Sequence, residues 1–255
     1  MTSLSHRVDR IIAVGAVPET VFRFFTDAAR WATWWGAGST IDARPGGRLL
    51  IRYPDGTEAT GEVLEILAPE RFAFSFGFVS GTPIPAGGSR VTIRLEPHQT
   101  GTRLHLLHEF DDEAVRDEFV QGWRYQLSLF SNVVSDEVNA GAAGLADAWF
   151  EAWREPDPAV RAQALGRIAV PDLRFRDRFS STEGLGELLP HISAAQRFMP
   201  GIRMERRGDV RHCQGTALVD WAALTGDGQE RGVGTSVFVF APDGRIDSVV
   251  GFWKR

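Results

Sequence analysis

In residues 7–17, RVDRIIAVGAV, apolar and polar side chains alternate, which is the period of a half-buried strand. The period lengthens at Pro18 and Glu19. Val21, Phe22, Phe25 and Ala29 then fall at helical spacing and predict a short helix leading into three tryptophans, Trp31, Trp34 and Trp35. Alternation returns in GGRLLIRYP, TEATGEVLEIL, RFAFSFGFV, RVTIRLEP and TRLHLLHEF, which are separated by turn signals such as Asp55-Gly56. Strands joined this closely predict an antiparallel meander. Within RFAFSFGFV the rings of Phe72, Phe74, Phe76 and Phe78 share one face, because successive strand side chains point to opposite sides. From Asp111 to Val138 the pattern is helical, with Val115, Phe119, Trp123, Leu127, Phe130 and Val134 forming one apolar stripe.

The pattern then changes character. Residues 139–144, NAGAAG, carry no apolar anchor and read as a linker between a unit of residues 1–138 and one of residues 145–255. The second unit opens with two predicted helices, LADAWFEAWR and DPAVRAQALGRIA, the latter started by an Asp157 cap and Pro158. A strand DLRFRDRF follows, then a helix over residues 184–201 with Pro190 expected near its first turn. IRMERRGDVRH, GTALVDWAAL, RGVGTSVFVF and RIDSVVGFW complete the unit as strands. Helices first and a curved sheet afterwards is an α+β plan.

Composition narrows the function classes. A single cysteine, Cys213, excludes an internal disulfide and a multi-thiolate zinc site, and is expected to be buried and inert. His105 and His108 in HLLH have a strand spacing of three, so they face opposite sides and no metal is expected. GVGTSV runs into a strand rather than a helix, so it lacks the dipole that phosphate loops use, and no cofactor is implied. A net charge of −5 gives no electrostatic footprint for nucleic acid. The apolar run from Ile11 to Val17 is too short to cross a bilayer, and no leader pattern precedes it. A cytoplasmic protein without a membrane partner is the expectation.

VPETVFRFFTDAARWATWW, GGRLLI, GEVLEILAPERFAFSF, SRVTIRLEP, GTRLHLLHEF and Gly122-Trp123 make residues 6–137 resemble the START-like helix-grip superfamily, the birch-pollen-allergen fold. The nearest branch is the family named after the activator of the ninety-kilodalton heat-shock chaperone's ATPase. This resemblance implies a curved antiparallel sheet around a long C-terminal helix, two short helices closing one end, and an apolar cavity between sheet and helix. Trp34, Trp35, Phe74, Phe76 and Trp123 become candidate ligand contacts, with His108 a polar fixture of the same cavity. A plug for the end of the sheet is the competing reading of Trp34 and Trp35.

ADAWFEAW, VPDLRFRD, MPGIRMERRGDV, VDWAAL, GTSVFVFAPDGRI and VVGFW make residues 145–253 similar to the nuclear transport factor 2-like (SnoaL-like) cone fold. Its members include polyketide cyclases, ketosteroid-type isomerases, epoxide hydrolases and non-catalytic ligand binders. Asp177 matches the aspartate that serves as proton-transfer base in the isomerase and cyclase branches. Alternation puts Leu173, Phe175 and Asp177 on one face and Arg174, Arg176 and Arg178 on the other. The competing reading has Asp177 at a solvated strand end, capping a loop. Phe175, Trp221 and Ser236 are the expected neighbours in the cone. Ser236 stands where those enzymes carry a second acid, and both tyrosines, Tyr53 and Tyr125, lie in the first unit. An oxyanion would therefore lean on Ser236, the Trp221 N–H or His212.

The expected function is binding of a small apolar or aromatic molecule, with cyclase- or isomerase-like activity through Asp177 as its enzymatic form. The alternative is a co-chaperone-like or other protein-interaction module without catalysis. A homodimer through the outer face of the C-terminal sheet, where Arg206 and Arg207 are expected, is the candidate assembly.

Overall fold

A computed structural model describes residues 4–254, and the chain divides into two compact units, residues 1–135 and 136–255. The first unit runs β1 (His6–Val14), α1 (Pro18–Thr26), α2 (Ala28–Trp35), β2 (Thr40–Ile41), β3 (Arg48–Arg52), β4 (Glu58–Leu67), β5 (Arg71–Phe78), β6 (Ser89–His98), β7 (Gly101–Phe110) and α3 (Glu113–Val138). Its strands form one antiparallel sheet in the order β1-β7-β6-β5-β4-β3-β2. The meander from β3 to β7 is the one the alternation predicted. β1 closes the sheet by pairing with β7 along its length, from His6 opposite Phe110 to Val14 opposite Thr102. Asp27 splits the first helical run in two: its carboxylate accepts the Arg30 N–H at 2.9 Å, capping α2 where α1 ends.

The stripe of α3 packs on this sheet through the buried Trp123, Leu127, Phe130 and Val134. A polar chain inside the apolar contact fixes its position. The Trp123 Nε1–H donates to His108 Nδ1 at 2.9 Å, and His108 Nε2 lies 2.8 Å from Ser89 Oγ, which donates to the Phe76 carbonyl at 2.9 Å. With Nδ1 accepting, the imidazole proton sits on Nε2 and each donor has an acceptor.

The second unit runs α4 (Ala142–Arg154), α5 (Pro158–Ile168), β8 (Ala169–Arg176), β9 (Ser181–Glu183), α6 (Leu185–Phe198), β10 (Arg203–Cys213), β11 (Thr216–Leu224), β12 (Glu230–Phe240) and β13 (Ile246–Trp253). Its sheet has the order β10-β11-β12-β13-β8-β9, antiparallel except between β13 and β8. Asp157 caps α5 by accepting the Ala159 and Val160 N–H groups. Trp149 and Phe150 of α4, Leu165 of α5, and Leu188 and Ile192 of α6 share one core with Leu173, Val219, Trp221, Phe238 and Val249 of the sheet. The fold is therefore α+β throughout, a helix-grip unit followed by a cone.

Several expectations need correction. Residues 139–144 are not a free linker: α4 begins at Ala142, and Asn139 and Ala142 are buried. Small residues can be flexible, but alanine is also the best helix former, and here it packs. The first cone strand begins at Ala169 and ends before Asp177, and the short strands β2 and β9 lack enough residues to show a period. Pro190 lies in the second turn of α6, costing the helix one hydrogen bond. Arg206 belongs to the helix-facing side of β10, where it forms a bidentate pair with Asp147 of α4 at 2.7 and 2.9 Å, leaving Arg207 exposed. The hydrogen bonds from Arg206 hold the Asp147 carboxyl below its ordinary range. Cys213 is exposed, at the hairpin end of β10.

Burial pushes the His108 imidazole down to about 3. An unfolded histidine takes up its proton below about pH 6.5, so between there and pH 3 the unfolded chain binds the extra proton and the folded chain does not. Stability is thus complete above pH 6.5 and falls as the pH drops through that window. Hydrogen exchange of the full chain, corrected for intrinsic rates, should show β7 and α3 losing protection from pH 6.5 to 4.5. His108→Gln keeps an acceptor for Trp123 and a donor for Ser89 without titrating, and should flatten that slope. An unchanged slope would assign the acid sensitivity to other groups.

Candidate functional site

The concave face of the cone sheet is built in rows, because β12, β13 and β8 are neighbours. Phe238 faces Val249 and Val249 faces Phe175, giving an apolar row. Two residues further along the strands, Ser236 faces Gly251, and Asp177 comes alongside Gly251 just past the end of β8. The next row sets Trp221 opposite Gly234 and Gly234 opposite Trp253. A side-chain carbon at 234 would lie 2.2 Å from the Trp221 ring, so the indole needs that glycine in order to lie flat on the sheet.

Together with α4 and α6 these rows enclose a cavity of about 400 Å³. Its walls are largely aromatic and aliphatic, including Trp149, Trp153, Phe175, Met204 and Trp221; its polar groups are Asp177, His191, Gln196, Ser236 and Arg154. The two readings of Asp177 turn out to be compatible. One carboxylate oxygen accepts the Phe179 N–H at 2.8 Å and so caps the loop after β8; the other lies 3.4 Å from the Trp253 Nε1–H, and the side chain still lines the cavity. Each oxygen keeps a lone pair for a further donor.

The expected oxyanion donors are arranged differently from the sequence reading. The Trp221 Nε1–H is already committed to Ser236 Oγ at 3.0 Å, with both residues buried. His212 is not a cavity residue, and its Nε2 accepts the Gly215 N–H at 3.1 Å. That leaves the Ser236 hydroxyl, whose oxygen is used as an acceptor and whose proton is free to donate. Sequence reasoning missed Trp149, Trp153, His191, Met199 and Met204. The first two stand four residues apart in ADAWFEAW, a helical spacing that could have revealed them; His191 carried no such signal.

A buried arginine holds the α6 wall in place. Arg161 is 1% exposed and donates to Gln196 Oε1 at 2.8 Å and Ser193 Oγ at 3.0 Å, while Gln196 donates on to the Trp153 carbonyl at 2.9 Å. Helices α5, α6 and α4 are thereby tied together behind the cavity.

The first unit has a smaller cavity of about 230 Å³ lined by Trp34, Trp35, Tyr53, Phe76, Trp123 and Gln126, among others. Phe74 and His108 are not among its lining residues: Phe74 packs on Trp31 at 5.9 Å, and both His108 nitrogens are taken. Trp31 and Trp34 donate to the carbonyls of Leu50 and Phe24, whereas Trp35 Nε1 is buried without a partner. Among the described residues no group of three His, Cys, Asp or Glu side chains is placed to hold a metal, and no helix is long and apolar enough to cross a membrane.

Residues 15–135 match the family described as Activator of Hsp90 ATPase homolog 1-like protein. No curated protein matches the chain significantly. Among solved structures, a SnoaL-like family protein from Agrobacterium tumefaciens strain C58 is 28% identical, over 44% of this chain and 97% of that one, with a TM-score of 0.43. CalU16 from Micromonospora echinospora is 27% identical over 51% of this chain and 76% of that one, with a TM-score of 0.41. The Aha1 dimer from Colwellia psychrerythraea is 16% identical over 48% and 90%, with a TM-score of 0.42.

The Trp221–Ser236 contact yields a direct test. Gly234→Ala forces a methyl group into the indole face and should cost about 1–3 kcal/mol of stability, as overpacking does. It should also alter the near-ultraviolet circular dichroism of the tryptophans. Unchanged melting and an unchanged spectrum would mean that Trp221 is not seated against that strand.

Proposed function

We propose that the protein binds a small apolar molecule in the cone cavity of its second unit, with Asp177 placed for proton transfer when the bound molecule carries an acidic hydrogen. The cavity carries this reading. It holds about 400 Å³, is open to solvent on one side, and is of the size that small-molecule sites have. Such a space persists when solvent or a ligand occupies it. Walls of tryptophan, phenylalanine and methionine give water few partners and favour an apolar occupant.

In the enzymatic form, Asp177 accepts a proton from a carbon next to a carbonyl and the electron pair moves onto the carbonyl oxygen. The Ser236 hydroxyl stabilises that oxygen, and the proton returns to another carbon. With one neutral donor in place of an acid or a tyrosine, turnover should be modest. The exposed Cys213, unpaired as a cytoplasmic protein's thiol would be, fits a cytoplasmic setting. A second reading, a protein-interaction module, is favoured by the family match of residues 15–135. Stimulation of a ninety-kilodalton heat-shock chaperone's ATPase by the purified chain would support it.

N-phenyl-1-naphthylamine, a neutral apolar dye, should gain fluorescence on mixing with the full chain. Ala194→Arg puts a charge into the cone cavity and should abolish that gain, whereas Gly122→Arg, at the smaller cavity of the first unit, should leave it. The opposite pattern would move the binding site to the first unit.

A further inference from the structure

Between Ser236 and Asp177 the floor of the cone cavity lacks a side chain. Ser236 of β12, Gly251 of β13 and Asp177, the residue just past the end of β8, stand in one row, and the middle position is a glycine. A carbon built on Gly251 would lie 3.3 Å from Asp177 Cβ and 3.8 Å from Ser236 Oγ. The backbone at 251 does not take the positive φ that would itself call for glycine. What the glycine leaves is a notch no larger than a methyl group, with the Asp177 side chain close on one side, Ser236 Oγ on the other and the Arg176 carbonyl oxygen 3.9 Å away.

We infer that this notch receives the hydroxyl group of an otherwise apolar ligand, a phenol or an alcohol. The inference rests on the cone cavity being the binding site. Its hydrogen-bond logic follows from the groups already described. The Trp221 N–H occupies a lone pair of Ser236 Oγ, and Ser236 has no protein acceptor for its own proton among the described hydrogen bonds, so it donates into the cavity. An incoming N–H on the oxygen also polarises the outgoing O–H and strengthens it as a donor. The Asp177 oxygens already accept the Phe179 and Trp253 N–H groups, keep a lone pair each, and accept only.

A hydroxyl satisfies both sides at once. Its oxygen accepts from Ser236 and its hydrogen goes to the carboxylate, a charge-assisted bond of the stronger kind. An ether offers an oxygen to Ser236 but no hydrogen to the remaining lone pairs of Asp177. A hydrocarbon leaves both groups unmatched. Trp221 takes no part in ligand contact here through its N–H; it is a positioning residue that sets which way the Ser236 proton points.

Equilibrium dialysis of the full chain against naphthalene, 2-methoxynaphthalene and 2-naphthol tests this. We expect 2-naphthol to bind about 10-fold or more tighter than either of the others. Gly251→Ala, which fills the notch with one methyl group, and Ser236→Ala, which removes the donor, should each erase most of that advantage, read as the ratio of 2-naphthol to naphthalene affinity within the same variant. If the three probes bind equally, or if the preference for 2-naphthol survives in Gly251→Ala, the notch is not the hydroxyl site, although an apolar cavity still stands. If none of the probes binds, the cone cavity is not an apolar binding site and the reading beneath the inference falls too. A cooperative melt and an unchanged far-ultraviolet circular dichroism spectrum show that Gly251→Ala is folded.

Discussion

A bent sheet has a concave face wider than one helix can fill, and both units of this chain are shaped by how they deal with that constraint. Burying apolar surface stabilises by about 25 cal/mol per Å², so any part of a concave face left open loses stabilisation that a packed core would have gained. The first unit closes its face with α3 and with indole. Trp34 and Trp35 lie 4.3 Å apart, centroid to centroid, and Trp35 meets Trp123 of α3 at 5.8 Å, leaving about 230 Å³. The second unit uses three helices, yet leaves nearly twice that space.

Chemistry follows from that difference in filling. In the first unit the polar groups between α3 and the sheet form a closed chain: it runs from Trp123 through His108 and Ser89 to the Phe76 carbonyl, and the neutral imidazole acts as a spacer between helix and sheet. In the second unit the polar groups are only partly satisfied by protein. Each Asp177 oxygen has one protein donor and a lone pair left over, and Ser236 accepts a bond that it does not pass on among the described hydrogen bonds. Open valences beside an apolar cavity are what distinguish a binding site from a core.

Much of this was legible in the sequence, because it rests on periods. Alternation located the longer strands of both sheets, and the face assignment of Leu173, Phe175 and Asp177 against Arg174, Arg176 and Arg178 matches their burial. The stripe of α3 was equally plain, although its first turns are half-buried rather than core. Features that depend on register were not legible. No period in one strand shows that Gly251 falls between Ser236 and Asp177, or that Gly234 lies beneath Trp221; both need the pairing of β13 with β12 and β8. Composition misled where one residue type serves two ends: the alanines of 139–144 suggested a tether and open a helix instead, and Arg206 looked like an unpaired charge on the outer sheet face while its guanidinium pairs with Asp147 of α4.

Methionine gives the most direct access to the central claim that the cone cavity is a ligand site. The chain has three methionines, and two of them, Met199 and Met204, line the cavity. Carbon-13 methyl spectra of methionine-labelled protein, recorded during titration with a neutral aromatic molecule, report on it without perturbing the site. The account predicts that the Met199 and Met204 methyl resonances shift together and saturate at one affinity. Saturable binding with neither cavity methionine moving would contradict it.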